Sequence, residues 1–96
     1  MKLANKVAIV TGGASGIGET TVRLFAQEGA KVVIADFSPR GDELAKELNE
    51  AGCEALFVKT DVTKEAEVKH MVDATVERFG QVDILFANAG IAKDAP

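Results

Sequence analysis

The sequence predicts an α/β fold, an open parallel sheet of the doubly wound kind, from three features of its patterning. Four short apolar runs, residues 7–10, 32–35, 55–58 and 82–87, recur at roughly the spacing of a strand-helix-strand unit. None alternates polar with apolar residues, and near-continuous runs of Val, Ile and Leu mark strands covered on both faces. Between the runs lie segments of helical periodicity. Each closes on a glycine, Gly29, Gly52 or Gly80, that precedes the next run, as expected of a residue turning left-handed just past a helix end. Strand-helix-strand units with short links take right-handed crossovers, which makes the strands parallel.

In chain order, the first strand (7–10) runs into a glycine-rich link, and the helix that follows is expected to bury Ile17, Thr21, Leu24 and Phe25. The second strand (32–35) is closed by Asp36. The second helix buries Leu44, Ala45 and Leu48, with Ser38 as N-cap and Pro39 as its first residue. The third strand (55–58) leads to Asp61-Val62. In the third helix Val68, Met71, Val72, Thr75, Val76 and Phe79 follow the i, i+3, i+4, i+7 rhythm of one buried stripe. The fourth strand (82–87) ends on Asn88-Ala89-Gly90, and residues 91–96 are expected to form an unstructured tail. Right-handed crossovers put the first two helices on one sheet face and the third on the other, with strand order 3-2-1-4. The whole, residues 1–96, reads as one domain.

Composition narrows the functional classes. The chain is 47% hydrophobic and 27% charged, as folded soluble domains are. A net charge of −4 without any block of Lys or Arg lacks the footprint of a nucleic-acid or anionic-membrane binder. No segment approaches membrane-spanning length, and the start reads as a first strand rather than a signal segment. Cys53, the only cysteine, excludes an internal disulfide and a Cys-x-x-Cys motif; it reads as a packing residue, and a cytoplasmic location is expected. His70 falls on the polar side of the third helix with no cluster around it, so no metal site is expected.

The chemistry lies in Thr11-Gly12-Gly13-Ala14-Ser15-Gly16-Ile17-Gly18. Gly12 permits a tight turn out of the strand, Gly16 lets the backbone approach a pyrophosphate, and Gly18 lets the helix pack close to the sheet. The helix N-terminus then offers N–H groups and the positive end of its dipole to an anion. A nucleoside-triphosphate loop is the competing pattern, but Glu19 stands where that motif requires lysine, and a carboxylate would repel the phosphates. Asp36 is placed where an acidic residue reaches the adenosine ribose; by itself it would read as a turn cap. Asp61-Val62 fits either an adenine edge or a helix start with Thr63 as N-cap. Asn88-Ala89-Gly90 lies beside the point where strand order reverses, the crevice in which open α/β sheets bind ligands.

Together Thr11-Gly12-x-x-x-Gly16-x-Gly18, Asp36, Asp61-Val62 and Asn88-Ala89-Gly90, in this order and spacing, resemble the short-chain dehydrogenase/reductase family. The resemblance covers the whole chain, which looks like the first half of a family member. It implies a Rossmann-type fold and a nicotinamide dinucleotide held by Gly12, Ser15, Gly16, Ile17, Gly18, Asp36, Phe37, Asp61, Val62, Asn88, Ala89 and Gly90. It also implies hydride transfer between that cofactor and an alcohol or ketone. The family's serine, tyrosine and lysine belong to a second half, and this sequence has no tyrosine, so no catalytic residue is assigned and the chain alone is expected to be inactive. Where the family has Asn-Asn-Ala-Gly, this chain has Ala87-Asn88-Ala89-Gly90. NAD is expected over NADP because Asp36 would face the 2′-phosphate, with Arg40 the one nearby cation weighed against it. The alternative is a stand-alone dinucleotide-binding module without catalysis. An apolar edge at the fourth strand predicts self-association, and a homo-oligomer is expected.

Overall fold

The computed structural model describes residues 1–88. In order the chain forms β1 (Val7–Thr11), α1 (Gly16–Gln27), β2 (Lys31–Asp36), α2 (Arg40–Glu50), β3 (Ala55–Lys59), α3 (Glu65–Phe79) and β4 (Ile84–Ala87). The four strands make one parallel sheet of order β3-β2-β1-β4, the order the sequence predicts. The expected tail, residues 91–96, and Ala89 and Gly90 lie outside the described residues.

Every residue of β1 is buried, because β1 is central in the sheet and covered on both faces. On one face Val10, Val32, Ile34 and Ala55 meet Val22 and Ala26 of α1 and Leu44, Ala45 and Leu48 of α2. On the other, Ile9, Val33, Ala35 and Val58 meet Met71 of α3, with Val68, Ala74 and Phe79 packed around it. The division of two helices against one follows from crossover handedness. Phe25 of α1 reaches the edge strand, its ring 6.5 Å from that of Phe86 in a T-shaped arrangement.

The buried stripe of α1 is not the expected one. Ile17 is 69% and Leu24 54% exposed, while Gly18, Val22 and Ala26 are buried. Small residues at i, i+4 and i+8 let the helix lie close to the sheet, and this turns the larger Ile17 and Leu24 outward; Thr21 and Phe25 are only partly buried. In α3 the stripe is narrower than expected. Met71 and Thr75 are buried, but Val72 and Val76, one helical step of about 100° further round, are exposed. The buried Thr75 hydroxyl is satisfied within its helix, donating to Met71 O at 2.8 Å.

Element ends differ from expectation by one or two residues, each for a local reason. The N-cap of α2 is Pro39 rather than Ser38, with Arg40 the first helical residue, because the turn begins one residue later than expected; Ser38 Oγ still accepts the Arg40 N–H at 3.1 Å. β4 starts at Ile84, not at 82, because Asp83 closes the ladder: its N–H donates to Val7 O, and its Oδ2 accepts the Val7 N–H, both at 2.8 Å. The glycines Gly29, Gly52 and Gly80 all take positive φ at helix ends, as the sequence predicts.

Candidate cofactor site

Parallel strands bring their carboxyl ends to one edge of the sheet, and the register places Thr11 beside Ala35 and Ala87, and Asp36 beside Lys59. The glycine link leaves β1 at the centre of that edge. Gly12 has φ 68° and still donates its N–H to Ala35 O at 2.7 Å, so the chain turns sharply while one ladder bond persists. Ser15 is extended and supplies no side-chain cap to α1, and helical bonding begins with Gly18 N–H on Ser15 O at 2.9 Å. The amides of Gly16 and Ile17 precede that first bond on an exposed stretch, where a helix N-terminus presents donors to an anion.

Two glycines shape this turn in opposite ways. A Cβ on Gly18 would stand 1.8 Å from Gly12 O and 2.6 Å from Gly12 C, so the start of α1 is seated directly on the turn. A Cβ on Gly16 would meet nothing within 4 Å, so the space before the helix N-terminus is open. A closed seat behind and open amides in front form a cradle that fits a pyrophosphate.

Asp36, at the end of β2, is fixed to this cradle. Its Oδ2 accepts the Ala14 N–H and its Oδ1 the Ser38 N–H, each at 2.9 Å, while its backbone carbonyl takes the Thr60 N–H at 3.0 Å. Half-buried and held at both oxygens, the carboxylate retains lone pairs for further donors. Phe37 beside it is exposed, with the Lys59 ammonium 4.9 Å from its ring centroid.

Asp61 organises the entry to α3. Its Oδ1 accepts both the N–H and the hydroxyl of Thr63, at 3.0 and 2.6 Å, and its own N–H donates to Glu67 Oε1 at 2.8 Å. The helix-start role expected for Asp61 is therefore present, but the N-cap is Lys64, not Thr63, because the Lys64 N–H is drawn back onto Asp61 O and the helix begins one residue later. Val62 is half-buried next to it. Asn88 fastens β4 to the glycine turn: its N–H donates to Thr11 Oγ1 at 2.9 Å and its amide Nδ2 lies 3.5 Å from Gly12 O.

The structure thus gathers Gly12, Ser15, Gly16, Ile17, Gly18, Asp36, Phe37 and Asn88 at one sheet edge, with Asp61 and Val62 just beyond β3. Within the turn, two residues without an individual role in the sequence pattern support the site: Thr11 anchors Asn88 through a nearly buried hydroxyl, and Ala14 tethers Asp36 through its amide. Outside the site, Glu19 collects two arginines. Glu19 Oε2 accepts from Arg23 at 2.9 Å and from Arg40 at 3.2 Å, and Arg23 reaches on to Glu47 at 2.6 Å. Hydrogen bonding to both glutamates pushes the Arg23 guanidinium above its ordinary range, and the Arg23 partner holds the Glu47 carboxyl below its own. Among the described residues no group of three or more His, Cys, Asp and Glu could hold a metal ion, and no helix is long and apolar enough to cross a membrane. His70 is exposed, and Cys53 packs half-buried against the core.

The family model for short chain dehydrogenase matches residues 6–96. The chain is 51% identical over 90 residues to cis-4-hydroxycyclohexanecarboxylate dehydrogenase of Sinomonas cyclohexanicum, covering 94% of this chain and 36% of that protein. It is 52% identical over 93 residues to secoisolariciresinol dehydrogenase of Forsythia intermedia, covering 95% and 32%. Among solved structures, hydroxysteroid dehydrogenase from Escherichia coli superposes with a TM-score of 0.89 at 36% identity, over 93% of this chain and 38% of that one. The chain therefore spans about a third of the length of the proteins it matches. With the sheet order, the glycine turn and these matches in agreement, the chain belongs to the short-chain dehydrogenase family.

Proposed function

We propose that this chain is the NAD-binding portion of an oxidoreductase that moves hydride between nicotinamide and an alcohol or ketone. The observation that carries the reading is Asp36: its carboxylate closes β2 and is tied to the glycine turn through the Ala14 N–H at 2.9 Å. A ribose acceptor and a pyrophosphate cradle are thereby held in one rigid piece. When bound, a nicotinamide dinucleotide supplies the hydride acceptor. The residues here do the holding. Gly16 and Ile17 present open amides at the helix N-terminus to phosphate, Gly18 seats that end on the turn, and Ser15 and Gly12 form the turn before them. Asp36 accepts from the ribose hydroxyls with Phe37 alongside, Asp61 and Val62 border the adenine, and Asn88, with Ala89 and Gly90 after it, borders the nicotinamide-side ribose. With no tyrosine in the sequence and no positioned acid/base assigned, the chain binds without turning over, and the substrate is met by residues of a longer protein.

Selectivity follows from charge. At an effective dielectric near 20, two unit charges 4 Å apart repel by about 4 kcal/mol, and a third of that is about a tenfold loss of affinity. A 2′-phosphate facing Asp36 meets that repulsion, so NAD is favoured over NADP. The nearest cations are committed elsewhere, Arg40 to Glu19 and Glu43 and Lys59 over Phe37. Paired calorimetric titrations with NAD and NADP test this. The unmutated protein binds NAD about tenfold or more tightly, and both Asp36→Ala and Asp36→Asn weaken NAD while closing the gap. Equal or tighter NADP binding by the unmutated protein overturns the assignment of Asp36.

A further inference from the structure

Arg40 opens α2 two residues past the Ser38 amide that Asp36 holds, and its own N–H sits on Ser38 Oγ. Its backbone is therefore next to the ribose-facing carboxylate, at the positive end of a helix. Its guanidinium, however, is bound to α1: NH2 donates to Glu19 Oε2 at 3.2 Å, and NH1 lies 3.5 Å from Glu43 Oε1. The same Glu19 oxygen accepts from Arg23 Nε and NH2 at 3.1 and 2.9 Å. Arg23 in turn is braced by Glu47 of α2 at 2.6 Å. Glu19 is thus the hub of a network that joins α1 to α2 across one face of the sheet, and it is the least exposed carboxylate in it.

Resting on the reading of Asp36 given above, we propose that Glu19 is a specificity-determining residue of the dinucleotide site, acting by holding Arg40 on α1 and so withholding its charge from a 2′-phosphate. Two charged devices then reject the phosphorylated cofactor. Asp36 repels it directly, and Glu19 occupies the arginine able to compensate. Arg40 contributes nothing to NAD binding while it is held. Loss of Glu19 leaves it the long, more exposed contact to Glu43 and the weaker field of Glu47, both solvent-screened, and its long side chain is released to swing toward the ribose.

The test is a double-mutant cycle on the product of the reading frame that carries this sequence, with Kd for NAD and for NADP measured by calorimetry for wild type, Glu19→Gln, Arg40→Gln and the double variant. Glu19→Gln raises NADP affinity about three- to fivefold, the scale of a partly exposed ion pair released to a new partner, and leaves NAD affinity within about twofold. Arg40→Gln alone leaves the NAD to NADP ratio unchanged, and in the double variant the gain is abolished. A gain from Glu19→Gln that persists without Arg40 is a through-space effect of the carboxylate and overturns the proposal, as does no gain at all. Asp36→Asn, titrated in parallel, reads the underlying assignment by itself. If it closes the gap and Glu19→Gln does not, the Glu19 proposal alone falls; if it leaves the gap unchanged, the Asp36 reading falls with it.

Discussion

Gly18→Ala is the substitution with the most decisive sign. In an ordinary helix interior alanine is better than glycine by about 1 kcal/mol, and Gly18 has no positive φ to lose, so propensity alone makes the change stabilising. The structure reverses the sign. The new methyl would stand 1.8 Å from Gly12 O, 2.6 Å from Gly12 C and 3.0 Å from Gly13 Cα, where ordinary contact begins near 3.4 Å. The neighbours are backbone of a turn whose N–H is pinned to β2, so no side chain can swing aside, and α1 must lift from the sheet along Val22 and Ala26. Overpacking of this kind costs about 1–3 kcal/mol and occasionally more. With immobile backbone on the other side, a net loss of about 3 kcal/mol is expected, a large share of a small domain's stability of about 5–15 kcal/mol. Urea unfolding followed by far-ultraviolet circular dichroism reads this as a lower midpoint at unchanged slope. Gly16→Ala is the comparison: its φ is +49° but its added methyl meets nothing, so it costs about 1–2 kcal/mol through the left-handed backbone. A Gly18→Ala midpoint equal to or above wild type refutes the close seating of α1 on the turn.

Met71 is buried against Ile9 and Val33 as the centre of the α3 face, so Met71→Ala is expected to cost about 2–5 kcal/mol in the same denaturation, while Val72→Ala, on the exposed flank, costs well under 1 kcal/mol. The Val7 N–H, and then the Gln81 amide, hold the Asp83 carboxyl below its ordinary range; its contribution is therefore complete above that range and lost as pH falls through the lowered value. Asp83→Asn should flatten the acid limb of a stability-pH profile below about pH 4, and an unchanged limb would show the Val7 contact to be idle. β4 is an edge strand with Leu85 58% exposed on it, so sedimentation of the 96-residue chain at micromolar concentration should show self-association that Leu85→Glu reduces; a stable monomer contradicts this. The same chain incubated with NAD and a panel of alcohols should give no cofactor-dependent turnover, since none of the described residues is assigned as a positioned acid/base at the nicotinamide end, a group typically worth about 10²- to 10⁴-fold.

Strand positions and sheet order were legible because a central parallel strand must be apolar on both faces, as the wholly buried β1 shows. The glycine turn and Asp36 were legible because one is a backbone requirement and the other a fixed offset from it. The phase of α1 was not, since hydrophobicity favours Ile17 and Leu24, whereas the buried stripe is chosen by small residues that allow close approach, Gly18 above all. Gly41 is a parallel case. Nothing in the local sequence marks it, yet a Cβ there would stand 2.4 Å from the Phe57 ring, so at this spacing of α2 on β3 the ring would have to move. The Glu19 hub joins residues 21 or more apart on two helices, and no local pattern announces a contact of that kind. Asp61 carried two readings in sequence, and its bonds to Thr63 and Glu67 realise the helix-start role without excluding a nucleotide edge.

The central claim, that the turn from Gly12 to Gly18 together with Asp36 holds a nicotinamide dinucleotide, is tested most directly by titrating NAD into isotopically labelled chain and following its amide resonances by NMR. Saturable shifts are expected at Gly16, Ile17 and Gly18, at Ala14 and Ser38 whose amides rest on the Asp36 carboxylate, and at Asn88, with Gly52 and Gly80 at the opposite edge unmoved. Shifts absent at millimolar NAD, or confined to residues away from the carboxyl edge of the sheet, would contradict it.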